Sequence, residues 1–246
     1  MFWNSSVKDL RQFPSVKPKE HLERSIQAHD HFPKQMGNGY SITENFLGEE
    51  MLDIVRSNFN TGSATLNKQP SSMVTDDRIL KEIGNAVSIS ISDHSDRFWQ
   101  QIHSNTFYQK VINHPADNDI QKVFHMDTFF PAWKFWYFPY EVTSEDGPFR
   151  YVPSSHILDE KKQNWMLEQY RKFYDGEELN EYSKEGSLRI TEDEIMSLYE
   201  TILDVTVPAN TLVIANVFGF HARGNVNNAS VRVAIHGSIR YDNPFN

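Results

Sequence analysis

The stretch Val207-Pro208-Ala209-Asn210-Thr211-Leu212-Val213-Ile214-Ala215-Asn216-Val217-Phe218-Gly219-Phe220-His221 decides how this chain is read. Proline and asparagine break the chain, residues Thr211 to Val217 are mostly apolar, and a glycine follows. A short apolar run bounded by turn residues reads as a strand. Soon after it the chain delivers a histidine, His221.

Outward from this stretch the same texture holds from residue 119 almost to the end. Ile120 to Asp127, Trp133 to Tyr140, Phe149 to Val152, Asp204 to Val207 and Ser230 to Tyr241 read as further strands, separated by Pro, Gly and Asn. Residues 157–200 interrupt them with charged helical sequence, in which Thr191-Glu192-Asp193-Glu194 is a capping box. Before residue 119 the elements differ. Lys19 to His29 predicts a helix, Tyr40 to Leu47 a strand and turn. Gly48 to Phe59 has its apolar residues at helical spacing, and 60–72 reads as loop. Thr75 is placed to cap a short helix through Ile83. Val87, Ile89 and Ile91 alternate with serines as a half-buried strand would, and Ser95 to Asn113 predicts helix in two pieces. Helices first, then many short strands, predict a mainly β fold with flanking helices: a double-stranded β-helix, the cupin-like jelly roll. We expect one domain over 1–246, with 1–118 as mostly helical support and 119–241 as the jelly-roll core, carrying a helical insertion at 157–203.

Composition narrows the function. Apolar residues make up 39% and aromatics 13%, so Phe, Tyr and Trp carry much of the core. The formal charge of −9 speaks against nucleic acid or an anionic membrane as partner, since both call for a basic face. Absence of cysteine excludes disulfides, thiolate metal sites and cysteine nucleophiles. The start, Met1-Phe2-Trp3-Asn4-Ser5-Ser6, lacks a basic region followed by an apolar run, and no stretch is apolar enough to span a membrane. The expectation is a soluble, cytoplasmic protein acting on a small molecule.

His125-Met126-Asp127 ends one predicted strand, and residues i and i+2 of a strand share a face. With His221 these make two imidazoles and a carboxylate, the ligand set of a mononuclear non-haem Fe(II) site with an open face. His-x-Asp alone is a weak signal, and His94-Ser95-Asp96 repeats it. There Ser95 or Asp96 is better read as the N-cap of the following helix. Arg232 follows His221 by eleven residues. On the last strand Val231, Val233, Ile235 and Ile239 share one face, and Arg232, Ala234 and His236 the other, so that face needs a wet or ligand-filled cavity unless Arg232 makes a surface salt bridge.

The ordered series His125-Met126-Asp127, then Asp146-Gly147-Pro148-Phe149-Arg150-Tyr151-Val152-Pro153-Ser154-Ser155-His156, then 207–221, then Asn228-Ala229-Ser230-Val231-Arg232, resembles the phytanoyl-CoA dioxygenase-like family of Fe(II)/2-oxoglutarate oxygenases. The resemblance covers about 119–241, with a fainter echo over Tyr40 to Phe59. It implies that His125, Asp127 and His221 ligate Fe(II) and that Arg232 pairs with the distal carboxylate of 2-oxoglutarate, for which a guanidinium fork is suited. Trp136 falls where some members place a tryptophan beside the 2-oxoglutarate chain. It further implies a reaction with O2 that releases succinate and CO2, and the carboxylate of Asp127 favours hydroxylation, with desaturation or ring closure also open. Ser154 and Asn210 stand where the family commonly has glycine. Arg223 reaches a substrate carboxylate or points outward. His156 is expected to be a structural hydrogen-bonder, Lys134, which shares a strand face with Trp136, to sit at a solvated strand edge or else to face the cavity, and His29, His31, His103 and His114 to be solvated or capping. Two other readings fit the residues: a cupin-like metal enzyme without 2-oxoglutarate, which has no need of Arg232, and a jelly-roll binding module with a silent site.

Overall fold

A computed structural model describes residues 18–30, 36–60, 65–66, 74, 76–115, 119–174 and 188–240. Its centre is a pair of sheets. The larger has strand order β1-β7-β4-β9-β3-β2, with β1 Tyr40–Thr43, β2 Thr65–Leu66, β3 Phe107–Asn113, β4 Trp133–Phe138, β7 Thr211–Asn216 and β9 Ser230–Ile239. All its pairings are antiparallel except β2 with β3. The smaller runs β6-β5-β8, with β5 Phe149–Tyr151, β6 Leu203–Val205 and β8 His221–Arg223, and is antiparallel throughout. This is the expected jelly roll with flanking helices.

Alternation along β4 explains how the sheets are covered. Trp133, Phe135 and Tyr137 point to one side, where they pack with Leu212, Ile214 and Ile235 against α3 Asp77–Ile91 and α4 Asp96–Asn105. Trp136 and Phe138 point to the other, where they meet Phe149, Tyr151 and Val205 of the small sheet. Both faces are covered, so β4 and β7 read as near-continuous apolar runs. A third cluster joins α1 Pro18–Asp30, α5 Glu160–Tyr174 and α6 Glu192–Leu198 to Phe124, Met126, Phe218 and Phe220. The remaining helix is α2 Glu49–Asn60. No helix among the described residues is long and apolar enough to cross a membrane.

Several expectations are corrected. Val87 to Ile91 is not a strand: α3 runs on to Ile91. The serine alternation is overridden by Ile79, Ile83, Val87 and Ile91, all buried at helical spacing, while Ile89 is 70% exposed. Thr75 lies outside the described residues, and Asp76 is the N-cap, its side chain accepting from the N–H of Arg78. The segment expected as two helical pieces is α4 followed by β3, which pairs with β9 along its whole length. Ile120 to Asp127 is not a strand either. Asp119 caps a short 3-10 turn at Ile120–Lys122, and only two isolated bridges at His125, to Arg189 and to His221, follow. Thr65 and Leu66 form β2 inside a stretch expected as loop, most of which lies outside the described residues. Strand β8 was not anticipated. On β9, Val231 is 53% exposed, so the apolar face begins further along at Ile235. By contrast Ser95 caps α4, the Thr191–Glu194 capping box is formed, and the insertion is helical in α5 and α6. The described part of the last strand ends at Ile239; Tyr241 lies beyond it.

Candidate metal centre

The local fold supplies what a strand was expected to supply. His125 and His221 exchange backbone hydrogen bonds, His125 N–H to His221 O at 3.0 Å and the reverse at 2.9 Å. Met126 N–H donates to Leu188 O at 3.1 Å, and Asp127 N–H to Val217 O at 3.0 Å. Residues 125–127 are thus pinned between the segment at 188 and the end of β7, and this places His125 and Asp127 beside His221.

One ligand atom from each of His125, Asp127 and His221 lies within 4.8 Å of the others. Asp127 Oδ1 is 3.5 Å from His125 Nε2 and 3.7 Å from His221 Nε2. All three residues are buried. Both Nε2 atoms and Oδ1 are without a hydrogen-bond partner. Convergent, buried, unsatisfied donor atoms of these types fit a cation, and metal–ligand bonds of about 2.1 Å would need only a small contraction. The far sides of the rings are fixed. His125 Nδ1 bonds Val123 O at 2.8 Å and His221 Nδ1 bonds Gly219 O at 2.9 Å. Carbonyl partners select the tautomer with Nδ1–H, leaving each Nε2 lone pair aimed inward. Burial lowers the pKa of both imidazoles, that of His221 well below the usual value, so both are neutral as metal ligands must be. At Asp127 burial acts to raise the carboxyl pKa, but Lys134, His125, His221 and Arg240 together hold it well below the usual range.

Lys134 corrects an expectation: it is not at a solvated edge. It sits 6% exposed on the inner face of β4, its Nζ against Asp127 Oδ2. Because β4 is an interior strand, its even-numbered residues all face the small sheet. Arg240 Nη2 lies 3.5 Å from the same oxygen.

Arg232 is buried on β9 near the other end of the inter-sheet space. Its Nη1 donates to Gly147 O, and its guanidinium lies 5.7 Å from the Phe138 ring. Among the described residues it has no ion pair. Burial pulls its pKa down to about 9, helped by nearby Arg223 and opposed by Asp146. Trp136 falls between the two ends. On the inner face of β4 it follows Lys134, which touches Asp127, and precedes Phe138, which lies under Arg232. Its ring is 4.6 Å from Phe149 and stacks on His236 at 5.1 Å. Phe149 in turn lies 5.7 Å from His221. Arg223 neither points outward nor is free: it pairs with Asp119.

Other positions carry the scaffold. Ser155 Oγ donates to Val152 O and accepts from Phe220 N–H at 2.8 Å, tying the Pro153–His156 turn to the segment before His221. Lys162, fully buried on α5, donates to Ser155 O and Phe218 O. Ser154 and Asn210 both take positive φ, 65° and 63°. Asn210 is further held by Leu47 and Tyr137. His156 is part-buried and outside the triad. His29 packs 4.2 Å from the Phe218 ring with Nδ1 bonded to Ser25 O, so it is neither solvated nor at the site. His103 and His114 are exposed, and His31 lies outside the described residues. The roles of Phe149, Lys162 and Arg240 were missed by sequence reasoning. For Lys134 the signal existed, since it shares its strand face with Trp136.

No family model matches the chain, and no curated protein matches it. Solved structures similar to it include AviO1 from Streptomyces viridochromogenes Tue57, 12% identical over 91% of this chain and 95% of that one, with TM-score 0.49. HygX from Streptomyces hygroscopicus, with nickel and 2-oxoglutarate bound, is 13% identical over 82% of each chain, TM-score 0.46. EctD from S. alaskensis with bound Fe is 12% identical over 85% of this chain and 76% of that one, TM-score 0.42.

Proposed function

We propose that this protein is an Fe(II)/2-oxoglutarate-dependent dioxygenase that hydroxylates an unactivated C–H of a small metabolite. The observation that carries the reading is a set of three unsatisfied buried ligand atoms together with a buried guanidinium that, among the described residues, has no carboxylate partner. Two histidines and one carboxylate suit iron with open positions. Iron bound there supplies the oxygen chemistry, and 2-oxoglutarate the reducing equivalents, so that substrate, O2 and 2-oxoglutarate give alcohol, succinate and CO2.

The chain's own residues hold and orient. His125 and His221 present neutral Nε2 atoms, Asp127 presents Oδ1, and Arg232 seats the distal carboxylate of the keto acid. Trp136 and Phe149 wall the path between them and exclude water from it. A cupin-like enzyme without 2-oxoglutarate would leave Arg232 buried at a cost and without use. The test is succinate formation coupled to O2 uptake by the iron-loaded protein supplied with 2-oxoglutarate. Succinate that vanishes in Asp127→Ala supports the reading. Bound iron with O2 uptake and no succinate would support the cupin-like alternative. Products of added substrates distinguish hydroxylation from desaturation or ring closure.

A further inference from the structure

Asp127 uses its two oxygens differently. Oδ1 faces both imidazole Nε2 atoms at 3.5 and 3.7 Å. Oδ2 faces away from them, onto the Lys134 ammonium, with Arg240 Nη2 behind at 3.5 Å. Neither cation is loosely placed. The backbone of Lys134 is paired on both sides, opposite Ala215 of β7 and Ser238 of β9. Arg240 is clamped by the Gln101 amide, which accepts from its N–H at 2.6 Å and donates to its carbonyl.

The split matters because a carboxylate can bind a metal through one oxygen or two. An octahedral iron has six positions, and the triad takes three when Asp127 uses one oxygen. Two then serve the keto acid and one remains for O2. If Asp127 used both oxygens, it would compete with the keto acid for a position. A fixed ammonium on Oδ2 prevents this, because turning that oxygen to the metal would strip a buried charge pair.

We infer that Lys134 is a positioning residue, whose ammonium holds Oδ2 of Asp127 so that the carboxylate offers a single oxygen to the metal and the co-substrate position stays open. This rests on the reading of His125, Asp127 and His221 as metal ligands. Its test separates the two claims. Mn(II) binding is followed by electron paramagnetic resonance, and 2-oxoglutarate binding to the Mn(II)-loaded protein by calorimetry, in wild type, Lys134→Met, Lys134→Gln and Lys134→Arg.

Lys134→Met is expected to bind Mn(II) at least as well as wild type, since a cation near the metal is gone. It is expected to bind 2-oxoglutarate about tenfold more weakly, at the low end of the range by which losing an outer partner impairs a metal site. Lys134→Arg restores the affinity, and Lys134→Gln, which keeps an N–H donor without charge, falls between and reports in place of Met if Met does not fold. Equal 2-oxoglutarate affinity in all four proteins overturns the inference. So does parallel loss of Mn(II) and 2-oxoglutarate binding in folded Met or Gln variants that Arg does not restore. A wild type that binds no Mn(II) removes the metal-site reading itself, and the inference with it.

Discussion

Replacing Arg232 by methionine should stabilise the protein alone and destroy its response to 2-oxoglutarate. Burial lowers the arginine pKa from its ordinary value to about 9. At about 1.4 kcal/mol per pH unit, holding this guanidinium charged inside the fold costs on the order of 5 kcal/mol. Methionine removes that cost and can rest on the Phe138 ring, but it leaves Gly147 O without its donor, a loss of about 1–3 kcal/mol. The net gain is about 2–4 kcal/mol, in line with other replacements of buried charge by apolar groups. For a chain of this length that is a rise in Tm of about 5–10 °C. The sign holds across the neutral range: the folded state disfavours the charged form, so the penalty is full below about pH 9 and fades only as pH climbs above it. Saturating Mn(II) and 2-oxoglutarate should reverse the order, because the keto acid stabilises only the protein that binds it. Differential scanning calorimetry with and without both ligands reads all four states. A variant that melts at or below wild type without ligand, or that gains as much from 2-oxoglutarate, would refute the reasoning.

Other outcomes follow from the same site. Asp127→Ala removes the carboxylate that Lys134 contacts, which should cost the metal-free protein about 3 kcal/mol in urea unfolding, and Asp127→Ala with Lys134→Met should recover most of it. Acid should destabilise the fold through its histidines. His125 and His221 have lowered pKa values, and His236 lies at about 3, so below pH 6.5 the unfolded chain takes up protons that the folded one refuses. The histidine contribution should be flat above pH 7 and fall below 6.5 by about 1.4 kcal/mol per pH unit for each such histidine, seen as a drop in urea midpoint between pH 7.5 and 5. Gly219→Ala would put a Cβ 2.2 Å from the Tyr151 hydroxyl, which bonds Asn216 O. Overpacking there should cost about 1–3 kcal/mol and, because His221 Nδ1 bonds Gly219 O, should also weaken Mn(II) binding.

The jelly roll was legible where burial covers both faces of a strand. Thr211 to Asn216 and Trp133 to Phe138 have no solvent face, so their apolar runs survive as sequence signal. Arg232 was legible for a related reason: a lone cation between apolar neighbours on a strand has to face something. The failures are equally physical. Val87, Ile89 and Ile91 satisfy a two-residue period locally, and only packing of α3 against the large sheet selects the helical one. Residues Phe107 to Asn113 became a strand because β9 offers a partner along its whole length, which no local window contains. His125 and Asp127 converge with His221 through bridges to residues about 60 and 90 positions away, not through a strand of their own, so the three were brought together by a wrong local argument. The shared face with Trp136 marked Lys134 as able to point inward, but its contact with Asp127 depends on that same irregular segment.

The most direct measurement is of 2-oxoglutarate binding to iron held by His125, Asp127 and His221 and to Arg232. Without oxygen, adding 2-oxoglutarate to the Fe(II)-loaded protein should raise a weak visible charge-transfer band that neither Asp127→Ala nor Arg232→Ala develops. No band in the wild type, or one of undiminished strength in both variants, would contradict it.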